Sequence, residues 1–111
     1  MDVGIIYLMK SKTHTEQAKF GHRTKPSAKE VIDEVNREYE SFTCYATYNL
    51  GIHDLNTIEF TVKQIRTIIN IMAGNIEDAQ PEYYNASPDK ILSILKAISE
   101  LRKTSKNLIE V

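Results

Sequence analysis

The stretch DLNTIEFTVKQIRTIINIMAG, residues 54–74, constrains the fold more than any other part of the chain. It sets Leu55, Ile58, Val62, Ile65, Ile69 and Met72 at alternating steps of three and four, a spacing that only a helix presents on one side. Phe60, Ile68 and Ile71 fall off that stripe, while Glu59, Lys63, Arg66 and Asn70 share one narrow polar arc. A helix so nearly encircled by apolar side chains needs neighbours on two sides. It belongs in the middle of a bundle or across an oligomer interface, with Phe60, Ile68 and Ile71 as the candidate oligomer contacts. Two covers for them are available, the N-terminal run VGIIYLM or a second copy of the chain. The second copy, a homodimer, is the preferred reading. A short run containing Gly4 is a poor helix, and a lone strand has no sheet to join.

Capping signals add two more helices. Ser27 with Glu30 three residues on is a reciprocal capping box, after which Val31, Val35, Tyr39, Phe42 and Ala46 continue at helical spacing. Gly51 supplies the stop, with Ile52 as the apolar residue after it. Ser87, Pro88 and Asp89 provide an N-cap, a proline at the first helical position and an acid at the positive end of the dipole. Behind them Ile91, Leu92, Ile94, Leu95, Ile98 and Leu101 form a broad apolar face. The central helix is capped by Asp54 or Thr57 and ended by Gly74, with Ile76 closing a Schellman-type turn.

The resulting reading is all-α. It is a small antiparallel helical bundle of three main helices, about 28–50, 55–73 and 88–104. A single domain covers residues 1–111, with an irregular N-terminal segment (1–26, an apolar start plus a basic arm) ahead of the bundle at 27–111. SFTCYATY is rich in β-formers and alternates, which supports an α+β alternative with short strands near 3–9 and 42–48.

At 111 residues the chain can bury a core without disulfides. A net charge of -1 argues against whole-molecule capture of nucleic acid or a membrane surface. Cys44 is the only cysteine, which favours a reducing, cytoplasmic location. VGIIYLM is far shorter than the roughly 20 residues that span a bilayer and follows Asp2 instead of a basic region, so neither a membrane span nor a signal peptide is expected.

Charge is divided along the chain. Lys10, Lys12, Lys19, Arg23 and Lys25 stand against Glu16 alone in residues 10–26, whereas residues 30–59 set seven carboxylates against Arg37. The two segments can attract each other within the chain or between copies. Glu30, Glu34 and Glu38 line one side of the first helix, the arrangement by which all-α nucleotide pyrophosphohydrolases hold Mg²⁺, but no second acidic pair faces them. They read as a solvated face. His14, His22, His53 and Cys44 match no zinc-site spacing, and four scattered glycines exclude a phosphate-binding loop.

No catalytic, cofactor or metal residues are therefore assigned, and the expectation is a non-enzymatic protein-binding module. It is a small regulator or inhibitor, of the immunity type or encoded by a phage or mobile element, acting on a protein partner. Tyr83 and Tyr84, adjacent and bracketed by Pro81 and Pro88, with Glu34 and Glu38, are the candidate partner-binding residues. The alternative is nucleic-acid binding by the arm, through Lys10, Lys12, Lys19, Arg23 and Lys25.

Overall fold

The computed structural model describes residues 1–73 and 83–111. Its N-terminal run is not irregular. Val3–Ser11 forms a strand, β1, in which every residue from Val3 to Met9 is buried. A strand covered on both faces shows no alternation, so its sequence is a continuous apolar run. Ala18–Lys25 (β2) folds back along it in register from Val3↔Lys25 to Lys10↔Ala18. Ala28–Glu38 (α1) then crosses to Phe42–Asn49 (β3), which pairs antiparallel on the other side of β1. Leu55–Ala73 (α2), Tyr83–Tyr84 (β4), Pro88–Leu101 (α3), a single 3₁₀ turn and Leu108–Glu110 (β5) complete the described chain. Among the described residues the sheet has five antiparallel strands in the order β4-β2-β1-β3-β5.

The fold is α+β, and the all-α helical bundle is corrected by it. Two of the three helices lie where the spacing put them, but the expected helix at 28–50 stops at Glu38. Its second half is β3, and its supposed stop, Gly51, has a positive φ of 70° in the loop after that strand. The helical spacing from Tyr39 to Ala46 was misleading for a local reason. The register of β3 on β1 slips between Leu8 and Met9, so that Met9 faces Cys44 while Leu8 faces Ala46, leaving Tyr45 as the extra residue of a bulge. Phe42 and Ala46, four residues apart in the expected helical stripe, thereby fall on opposite faces of the sheet, Phe42 with the α1-side core and Ala46 with the core under α2 and α3.

Each face of the sheet carries its own core. Val3, Ile5, Tyr7, Met9 and Cys44 pack under Val31 and Val35 of α1. On the opposite face Ile6, Leu8, Phe20, Ala46 and Tyr48 meet Ile58, Val62, Ile65 and Ile69 of α2 and the inner side of α3. The N-terminal run thus helps cover the main stripe of α2 and not its second one. Helices α2 and α3 run antiparallel: Lys90 Nζ donates to the Ala73 carbonyl at 3.5 Å at one end, and Ile98 and Leu101 lie beside Ile65 and Ile68 at the other.

The caps behave as their chemistry requires. Ser27 Oγ accepts from Glu30 N at 3.4 Å, Asp54 Oδ2 from Thr57 N at 2.9 Å, and Ser87 Oγ from Asp89 N at 3.1 Å. The expected stop at Gly74 and Ile76 lies outside the described residues. Among those residues no helix is long and apolar enough to cross a membrane.

Candidate protein interface

The charged residues singled out in the sequence find one another within the chain. Strand alternation places Lys19, Gly21, Arg23 and Lys25 on the α1 face of β2, opposite the carboxylates of the helix. Arg23 makes five hydrogen bonds, as many as its guanidinium has N–H groups. Nε donates to Glu34 Oε1 at 3.0 Å, Nη1 to Tyr7 Oη at 3.4 Å and the His22 carbonyl at 3.1 Å, and Nη2 to Glu38 Oε2 at 3.1 Å and Tyr39 Oη at 3.2 Å. Burial opposes its charge, but Tyr39, Tyr7, Glu38 and Glu34 more than offset this and raise its pKa further. Lys25 Nζ lies 2.7 Å from Glu34 Oε2, which raises the lysine pKa and, with Arg23, holds the Glu34 carboxyl below its ordinary value. Gly21 has no room for a side chain, because a Cβ there would sit 2.4 Å from Tyr7 Oη.

Lys19 is 1% exposed, with its ammonium 4.3 Å and 4.4 Å from the ring centroids of Tyr39 and Tyr83. The adjacent tyrosines separate as strand neighbours do. Tyr83 pairs with Lys19 on the α1 side and leans on Phe42; Tyr84 pairs with Ala18 and faces the α2–α3 core. There Tyr84 is buried, edge-on to Phe20, and its hydroxyl donates to Asn70 Oδ1 at 2.9 Å. Burial raises its pKa. All four candidate partner-binding residues have internal partners, and Tyr83 in addition keeps an exposed edge.

Of the five candidate polyanion-binding residues, Lys10 and Lys12 stay exposed, and both line an open cleft of about 500 Å³ with His14, Thr43, Tyr45 and the start of α3. Acids share that cleft. Glu16 lines it, and Asp89 accepts a hydrogen bond from the Tyr45 hydroxyl, which raises the phenol pKa. Cys44 is buried, and desolvation pushes its thiol up to about 11, far from a reactive thiolate. Among the described residues no three His, Cys, Asp or Glu side chains converge as a metal set.

The outer side of the α2–α3 pair is different. Phe60 is 62% exposed, Ile68 39%, Ile71 74%, and Met72 and Leu101 are exposed beside them. Ile68 and Leu101 flank a groove of about 260 Å³ between the two helices, floored by Ile65 and Ile98 and edged by Gln64 and Arg102. Phe60, Ile68 and Ile71 are thus brought to one surface, as their spacing implies. Leu101 was not singled out as a contact residue, although it lies three residues past Ile98, where the inner stripe of α3 ends. No protein-family model, curated protein or solved structure matches this chain.

Proposed function

We propose that this chain is a cytoplasmic protein-binding module, a small regulator or inhibitor that acts by contact and not by catalysis. Its contact surface is the outer face of α2 and α3. The observation that carries this reading is the set of exposed apolar side chains on α2 and α3, Phe60, Ile68, Ile71, Met72 and Leu101, of which Ile68 and Leu101 line a groove between the two helices. At about 200 Å² per large side chain their exposed fractions sum to roughly 600 Å² of apolar surface. Such a surface is costly to leave in water, and the α1 side shows that the chain can pair its groups internally where it does so.

The reading is tested by affinity capture from the organism's own extract with the parent chain and with Ile68→Asp. The substitution places a charge at the rim of the groove without touching the interior, so a captured protein should be lost while the melting temperature stays within a few degrees. Capture that is indifferent to Ile68→Asp overturns the assignment of this face.

A further inference from the structure

Three basic side chains at the tip of the β1–β2 hairpin stand outside the charge network beneath α1. Arg23 and Lys25 are closed onto Glu34 and Glu38, whereas Lys10, Lys12 and His14 are exposed and belong to no ion pair among the described residues. All three line the open cleft of about 500 Å³ at the start of α3, a volume within the range of small-molecule sites. Ser11 Oγ accepts from the backbone N–H groups of Thr13 at 3.2 Å and His14 at 3.1 Å, which fixes the turn that carries Lys12 and His14. The apolar groove lies at the other end of α3, roughly 20 Å away along the helix, so the cleft stands independently of the proposed contact face.

The acids of the cleft do not cancel these charges. Asp89 accepts the Tyr45 hydroxyl, and the ring of the same tyrosine holds Lys10 Nζ 5.4 Å from its centroid. Tyr45 thus engages a carboxylate with its hydroxyl and an ammonium with its ring. That leaves Glu16 as the one lining carboxylate without a hydrogen bond or ion pair among the described residues. Two lysines and an imidazole beside the Thr15 hydroxyl suit a phosphate, whose terminal oxygens take charge-assisted hydrogen bonds from several donors at once. A free phosphate would fill little of the space. The rest of the lining, with Tyr45 and Pro88 as apolar surfaces and Thr43 and Ser87 as hydroxyls, suits a compact hydroxylated body such as a pentose.

We propose that this cleft binds a small ribose phosphate monoester, its phosphate held by Lys10, Lys12 and His14 and its sugar hydroxyls by Thr43 and Ser87. The test follows backbone amide resonances of the ¹⁵N-labelled full chain during titration with ribose 5-phosphate, adenosine monophosphate, inorganic phosphate and ribose. Both esters should shift cleft residues saturably, with ribose and inorganic phosphate at least ~10-fold weaker. Lys10→Gln and Lys12→Gln should each weaken ester binding about 10-fold with an unchanged melting temperature, since both side chains are exposed. Tyr45→Phe releases the Asp89 carboxylate and should weaken binding about 3-fold, the scale of an exposed charge interaction, and adding Asp89→Asn should restore it. Misfolding cannot produce that rescue. Tighter binding of adenosine monophosphate than of ribose 5-phosphate supports a nucleotide as the source, and equal binding supports a sugar phosphate. The proposal is overturned by the absence of saturable shifts with either ester, by ester binding that ignores both lysine substitutions, or by ribose or inorganic phosphate binding as tightly as the esters. A single-stranded oligoribonucleotide held by the same lysines far more tightly than adenosine monophosphate overturns it in favour of RNA.

Discussion

The two faces of the sheet handle their surplus groups in opposite ways. Beneath α1, beside the apolar side chains of β1, strand β2 presents lysine and arginine, and the helix and neighbouring tyrosines supply carboxylates, hydroxyls and ring faces to meet them. Under α2 and α3 the interior is almost purely apolar, and apolar side chains continue past it onto the outer surface. A charge network closed within the chain has little left to offer a partner. An apolar surface closed on only one side does, which is why the proposed contact surface is on the helices and not on the most charged part of the sequence.

The largest effect should come from removing what both faces share. Deleting residues 1–9 takes out β1, the central strand, and should abolish cooperative thermal unfolding altogether. A shortened chain that still melts cooperatively would mean that the two layers hold together without their common sheet. Next is Tyr84→Ala, inside the α2–α3 face, which should cost about 3–5 kcal/mol in urea unfolding because it empties a buried aromatic site and strands the Asn70 side chain. Gly21→Ala tests the α1 side and should cost about 1–3 kcal/mol, since the new methyl drives into the Tyr7 hydroxyl.

Acid sharpens the contrast further. Glu34 has its folded pKa lowered, so its contribution is complete above the ordinary carboxylate value of 4.5 and is lost as pH falls through the lower folded value. Unfolding free energies measured from neutral pH downward should therefore decline at the acid end, and Glu34→Gln should flatten part of that decline. The smallest effect belongs to the rim. Phe60→Ser should change the stability of the isolated chain by no more than about 0.5 kcal/mol, because an exposed side chain gives up little on truncation. A loss comparable to that of Tyr84→Ala would place Phe60 in the fold and remove it from the contact surface.

What was legible in the sequence follows from how each element is covered. Helices α2 and α3 are buried on one side, so a 3.6-residue period, Asp54, Ser87 and Pro88 marked them well; the middle of the α2 stripe, Ile58, Val62, Ile65 and Ile69, is buried, while its ends Leu55 and Met72 are exposed along with Phe60, Ile68 and Ile71. Strands β1 and β3 lie where the α+β alternative put short strands, near 3–9 and 42–48, whereas β2, β4 and β5 were not expected, and the helical reading was preferred because the longer strands each break their alternation differently. Both faces of β1 are apolar, and the inward-facing side of β2 is cationic, so Lys19, Arg23 and Lys25 read as a solvated arm although they recur at even intervals. In β3 the bulge at Tyr45 cuts the alternation in two. The attraction between basic and acidic segments was visible as charge, but its geometry needed the sheet. Tyr83 and Tyr84 were marked as a pair, whereas a two-residue strand sends them to opposite sides of the molecule.

The pairing of β5 with β3, in which Leu108 lies against Tyr48, also orders events in time. During synthesis the hairpin of β1 and β2, α1 and β3 can assemble early, because all of these elements precede α2 in the chain. At that stage one side of the new sheet is covered while Ile6, Leu8, Phe20 and Tyr48 face water, since α2 and α3 have yet to emerge and the β3 margin still waits for its last neighbour. A chain assembling in that order would leave this apolar face of the sheet uncovered until α2 and α3 are made.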